Sequence, residues 1–130
     1  MSDSEQDWMQ REIERLTHQI GDVPPPWTFS PNSHPYSIEW RMGAGEGYLM
    51  VLARWWESAN LDEAERIAYF RKYPPPPRWL QWMIDTLWDI RSWEQEEFDY
   101  TPYFDRVQEM GFGSKADFDK DISDPKWLDE

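Results

Sequence analysis

The sequence predicts a mainly α fold: a compact single domain of five to six helices over residues 1–130, with long proline-rich connectors and at most a minor extended segment near 36–42. Three observations predict it. Apolar residues recur at helical spacing in several separate segments, most of them punctuated by a capping residue, glycine or proline. Only one stretch alternates with the period of a strand. Aromatic residues make up 17% of the chain, with ten Trp, six Tyr and six Phe. A buried Trp removes on the order of 200 Å² from water, so a few large side chains supply a core. A mean hydropathy of −0.91 and a net charge of −13 lean the other way, but disordered chains are poor in aromatics.

Residues 1–20 read as an N-terminal helix. Ser2 or Ser4 caps it, Trp8, Ile13, Leu16 and Ile20 lie on one narrow side, and Gly21 stops it. Residues 22–47 read as an irregular Pro- and Gly-rich connector, opened by "DVPPPWTFSPNSHP" and anchored by Trp27 and Phe29. Within it Tyr36, Ile38, Trp40 and Met42 alternate with Ser37, Glu39 and Arg41, a strand signal. No second strand of equal quality is present to pair with it, and an isolated strand is unstable; pairing across a homodimer is one solution. "GAGEGY" reads as a flexible turn.

Residues 48–110 read as the helical core. "LMVLARWWESA" is apolar almost all round, the mark of a central buried helix. Asn60 with Glu63 resembles a capping box for a helix that turns Leu61, Ala64, Ile67 and Ala68 inward. Pro74–Pro77 break that helix, and Pro77 takes a first-turn position in the next, where Leu80, Met83, Ile84, Leu87 and Trp88 form one face. These prolines read as a stiff elbow. The ligand pattern P-x-x-P-x-R would place arginine at 79, where Trp79 stands, one residue after Arg78. Thr101-Pro102 open a further helix closed by Gly111. Residues 111–130 carry thinner signals: Ser114 starts a short helix with Phe118 and Ile122, Asp124-Pro125 breaks it, and Trp127-Leu128 either pin the terminus or leave it loose.

The absence of cysteine excludes disulfides and thiolate metal sites. The acidic start is unlike a signal peptide, and the longest apolar run, Tyr48 to Ala53, is far short of the roughly 18 residues of a membrane span. A soluble, cytoplasmic protein is expected, with no membrane partner. Chemical motifs fail one by one. Gly43-Ala44-Gly45-Glu46-Gly47 lacks the spacing of a dinucleotide loop and the Lys of a Walker loop. Asp117, Asp119 and Asp121 alternate as in a calcium loop, but Ile122 and Leu128 stand where its Gly and Glu belong. His18 and His34 have no zinc-ligand spacing, and no G-x-S-x-G elbow occurs. A carboxylate pair such as Glu39 with Glu57 or Asp62 is not distinctive among 26 acids. Hence no catalytic residue, metal ligand or cofactor is assigned, and the chain reads as a binding protein rather than an enzyme.

Charge points to the partner. Residues 1–73 hold 7 basic and 12 acidic residues and residues 74–130 hold 6 and 14, a field that repels phosphate backbones and attracts basic proteins. No direct nucleic-acid binding is expected. The leading reading is an acidic interaction module for a macromolecule with a basic surface: an inhibitor, an immunity or antitoxin-like protein, a regulatory or assembly subunit, or a nucleic-acid mimic. In it Glu94, Glu96, Glu97, Asp99 and Asp105 steer the encounter, while Arg78, Trp79 and Trp82 anchor it. Adjacent Trp55 and Trp56 point about 100° apart on a helix, so at least one of Trp55, Trp56, Trp79 and Trp82 is expected at the surface. The alternative is a ligand-binding or catalytic domain whose pocket near the Gly43–Gly47 turn is lined by Glu39, Trp40, Tyr48 and Trp55.

Overall fold

The computed structural model describes residues 2–129, with side chains from Trp8 to Trp127. It is mainly helical: seven α-helices and four 3-10 turns, with no strand among the described residues. The chain divides into two compact units, Met1–Leu61 and Asp62–Glu130, the boundary falling inside the 48–110 segment.

In the first unit, α1 (Ser2–Ile20) ends as expected. Gly21, at φ +103, supplies the left-handed residue that lets its N–H return to the Thr17 carbonyl at 2.9 Å. The proposed caps Ser2 and Ser4 have side chains outside the described set. Of the apolar side, Ile13 and Leu16 are buried while Trp8 and Ile20 stay about half exposed, so the stripe is narrower than the sequence implied.

Part of the connector is core. Val23 through Trp27 are all buried, and Pro26–Phe29 form the short helix α2. Three consecutive prolines make this possible because they bring no N–H that burial would leave unpaired. One of their carbonyls, that of Pro24, accepts from the Tyr48 hydroxyl at 2.7 Å. The extended segment expected at 36–42 is instead a 3-10 turn, Ile38–Trp40. Ser37 Oγ accepts the Glu39 N–H at 3.3 Å, a side-chain bond that favours a turn where no neighbouring strand offers a ladder. Trp40 is buried, while Tyr36, Ile38 and Met42 lie exposed.

The glycine cluster is not a free turn but the start of α3 (Gly43–Ala59). This helix packs against α1 and the 38–40 turn and buries Gly45, Val51 and Leu52. Met50 and Ala53 face out, and Trp55 and Trp56 are half-buried, meeting edge-on at 6.3 Å. The helix is thus one-sided rather than buried all round. Asn60 ends it in the left-handed region.

In the second unit, the capping box belongs to Asp62 and Glu65, each side chain accepting the other's N–H at 2.8 and 3.1 Å. Asn60 cannot be the cap because it already closes α3, which moves the start two residues on. Helix α4 (Glu63–Lys72) buries Tyr69 and Phe70 and leaves Ala64 and Ala68 exposed. Two aromatics outweigh two alanines in the area they remove from water, and the helix is rotated accordingly. After Pro74–Pro77, a 3-10 turn (Pro77–Trp79) runs into α5 (Leu80–Trp88). Of the expected face, Leu80, Met83, Ile84 and Leu87 are at most 1% exposed and join Trp79 in the core, whereas Trp88 is half-buried, its indole donating to Glu63 Oε2 at 3.0 Å. Helices α6 (Thr101–Glu109) and α7 (Lys115–Ile122) add Phe104, Val107 and Phe118. Ser114 caps α7, accepting the Asp117 N–H at 3.1 Å. A last 3-10 turn, Pro125–Asp129, is pinned by the Trp127 indole, which donates to the Asp121 carbonyl at 2.8 Å.

Candidate functional site

Two places in the structure combine exposed aromatic surface with charge. The first is the loop between α5 and α6. It leaves α5 at Asp89, whose left-handed backbone lets the Ile90 N–H reach the Asp85 carbonyl. It then makes one 3-10 turn, Ser92–Glu94. Its far end is tied down twice. The Tyr100 hydroxyl donates to Asp85 Oδ1 at 2.7 Å, and Asp99 Oδ1 accepts the Thr101 N–H at 2.9 Å. Between these ties, Glu94, Glu96, Glu97 and Asp99 all face solvent; Asp105, one turn into α6, does too. In the 3-10 turn Trp93 is 79% exposed, the most exposed large apolar side chain described.

The carboxylates at the two ties titrate in opposite directions. Burial, partly offset by the Tyr100 hydroxyl, pushes Asp85 above the usual carboxylate range. The Thr101 hydroxyl and amide hold Asp99 below it. Because folding raises the Asp85 pKa, its contribution to stability is complete below its unfolded value and is lost as pH rises through the folded value. Asp85→Asn removes that penalty while keeping an oxygen for Tyr100. The variant is therefore expected to be the more stable at pH 7, with the gap closing as pH falls towards 3.8. Urea denaturation at a series of pH values checks this; a difference independent of pH would show that ionisation of Asp85 plays no part.

The predicted anchors behave otherwise. Arg78 and Trp79 are covered, at 7% and 1% exposure. Trp82 is half-buried, meeting Trp79 and Phe70 edge-on at 5.9 and 6.4 Å. Arg78 and Trp79 are thus packing residues of the second unit, while Trp82 keeps part of its surface. Trp93 is not marked by the helical periodicity that picks out Trp79 and Trp82. Its signal was the opposite: polar neighbours on both sides and no apolar face for it to join.

The second place is a cleft of about 480 Å³ in the first unit. It is lined by the apolar side chains of Trp8, Phe29, Tyr48 and Val51, by the small residues Gly43, Ala44 and Gly47, and by Arg11 and Glu12. The sequence placed a pocket beside this glycine cluster, and Tyr48 does line it. Trp40 is instead buried, Glu39 accepts a 3.4 Å hydrogen bond from Ser30 Oγ, and Trp55 packs on Trp56 further along α3. Trp8, Arg11 and Phe29 were not foreseen, since contact between α1, α2 and the start of α3 leaves no mark in local periodicity. The described residues contain no cluster of three or more His, Asp or Glu placed to hold a metal ion, and no helix among them is long and apolar enough to cross a membrane. No family model, curated protein or solved structure matches the chain.

Proposed function

We propose that the chain is an acidic interaction module that binds a protein with a basic surface through the 91–100 loop. The observation that carries this reading is the exposure of Trp93 in a loop with four solvent-facing carboxylates. Trp is among the residue types enriched at interface hot spots, where its large face fills a pocket on the partner. The carboxylates complement a cationic partner, whose Lys or Arg can also lie over the indole face. In this arrangement the acids set the rate of encounter and Trp93 sets the lifetime of the complex. This reading fits an inhibitor, an immunity-type protein or a regulatory subunit.

The test is capture on immobilised protein, with wild type, Trp93→Ala and the triple variant E94Q/E96Q/E97Q run in parallel. A genuine partner is expected to be basic, retained by wild type at 0.05 M NaCl and released at 0.5 M, where screening acts within about 4–5 Å. Trp93→Ala is expected to weaken that partner by about 2 kcal/mol, roughly 30-fold, mostly through faster dissociation. The triple variant is expected to slow association and flatten the salt dependence. A partner list and affinity unchanged in both variants would remove the loop from the account.

A further inference from the structure

We infer that the cleft of the first unit is a site for a small aromatic acid, its flat ring lying against the aromatic wall and its carboxylate on Arg11. The volume, about 480 Å³, falls within the roughly 300–1,000 Å³ of small-molecule sites, which are mostly apolar with a few polar groups that fix orientation. The wall has that character. Phe29 and Tyr48 stack at 4.5 Å with planes 18° apart, and the Tyr48 hydroxyl, committed to the Pro24 carbonyl, fixes that ring in place. Trp8 is 47% and Phe29 43% exposed, ring area that a flat ligand would take out of water. Gly43, where an added Cβ would meet nothing within 4 Å, and Ala44 leave room in the cleft that larger side chains would occupy.

Charge selects the class of ligand. Among the described residues two charged side chains line the cleft, Arg11 and Glu12, while Glu46 lies in a neighbouring groove that shares Trp8, Gly43 and Gly47 with it. The Glu12 carboxylate is engaged by Arg15, through a salt bridge and a 3.2 Å hydrogen bond from Nε. Arg11 makes no ion pair with another described residue; it also borders an adjoining shallow groove lined by Glu14, Arg15, Thr17 and His18. The group left to meet a ligand is therefore a guanidinium, whose planar fork matches a carboxylate. The chain's overall negative charge does not decide the matter, because at 0.15 M salt fields fade beyond about 8 Å.

The test uses 2-naphthoate and its neutral counterpart 2-naphthamide, titrated by calorimetry into wild type, Arg11→Gln and Ala44→Leu. Ala44 is exposed in the first turn of α3, so leucine there fills the cleft without entering the core; unchanged circular dichroism and melting temperature confirm the fold. Wild type is expected to prefer the acid by about tenfold, the worth of a charge-assisted hydrogen bond. Arg11→Gln is expected to abolish that preference and leave the amide unaffected, and Ala44→Leu to abolish binding of both. Equal affinity for acid and amide in wild type, binding that survives Ala44→Leu, or no binding of either compound at millimolar concentration would overturn the proposal. The site shares no residue with the 91–100 loop, so the partner-capture experiment and this one fail separately.

Discussion

Arg78→Ala is expected to lower the free energy of unfolding by about 3 kcal/mol, the low end of the cost of breaking a buried ion pair from one side. Arg78 follows four prolines, so it carries the first backbone N–H after Tyr73. That N–H donates to Asp121 Oδ2 at 3.0 Å, and its own guanidinium reaches the same oxygen at 3.3 Å. The two side chains are only 8% and 16% exposed. Trp127 lies over the guanidinium at 4.8 Å. One residue therefore joins the proline elbow, α7 and the C-terminal turn. Alanine keeps the backbone bond, so Asp121 is not wholly abandoned, and Lys126 Nζ stands 3.9 Å from its other oxygen; these two contacts are why the low end applies. Arg78→Met, which restores the stem but not the charge, is expected to recover part of the loss. A double-mutant cycle with Asp121→Asn, by urea denaturation, isolates the pair: a coupling of 0.5 to 3 kcal/mol in magnitude is the range for residues in contact. A loss under about 0.5 kcal/mol for Arg78→Ala, the size of an ordinary surface substitution, would mean that the elbow is held by the prolines and Trp79 alone.

The same elbow shows how far the sequence could be read. The break at Pro74–Pro77 and the buried face of Leu80, Met83, Ile84 and Leu87 follow from local rules: proline lacks a donor, and apolar spacing of three and four makes a face. The burial of Arg78 does not. Its partner lies 43 residues away, and nothing near Arg78 says that an aspartate will be brought to it. The sequence therefore offered Arg78 as a surface anchor, where the fold uses it as a cross-tie. The failure at 36–42 has another cause. Period-two alternation is a strand signal only when a neighbouring strand is available, and without one the Ser37 hydroxyl decides the local geometry. The candidate sites divide the same way. The acids of 94–99 were legible because charge in a non-periodic segment faces water, whereas the cleft depends on three elements meeting and was legible only at Tyr48 and the glycines.

The glycines at the start of α3 give the second large effect, because Gly45 and Gly47, two residues apart and so on nearly opposite sides of the helix, are expected to respond with opposite sign. On propensity alone, replacing Gly by Ala inside α3 would gain up to about 1 kcal/mol at either position. At Gly45 a Cβ would fall on the Glu39 carbonyl oxygen, with the carbonyl carbon at 2.8 Å and Trp40 Cε3 at 3.3 Å. The obstacle is backbone, held in the 38–40 turn, and Trp40 beside it is buried, so the turn must move as a body. Such overpacking typically costs 1–3 kcal/mol, occasionally more. Gly45→Ala is expected at the upper end, about 2–3 kcal/mol net of the propensity gain. At Gly47 the same Cβ would meet only the Trp8 ring, at 3.3 and 3.4 Å. Trp8 is half exposed and can swing by a few tenths of an ångström, so the propensity term wins and Gly47→Ala is expected to be neutral or stabilising by up to about 1 kcal/mol. Thermal and urea unfolding of the two single variants decide it. Equal effects would mean that the 38–40 turn yields as readily as an exposed side chain, and close packing of Gly45 against Glu39 and Trp40 would then not be what holds that turn on α3.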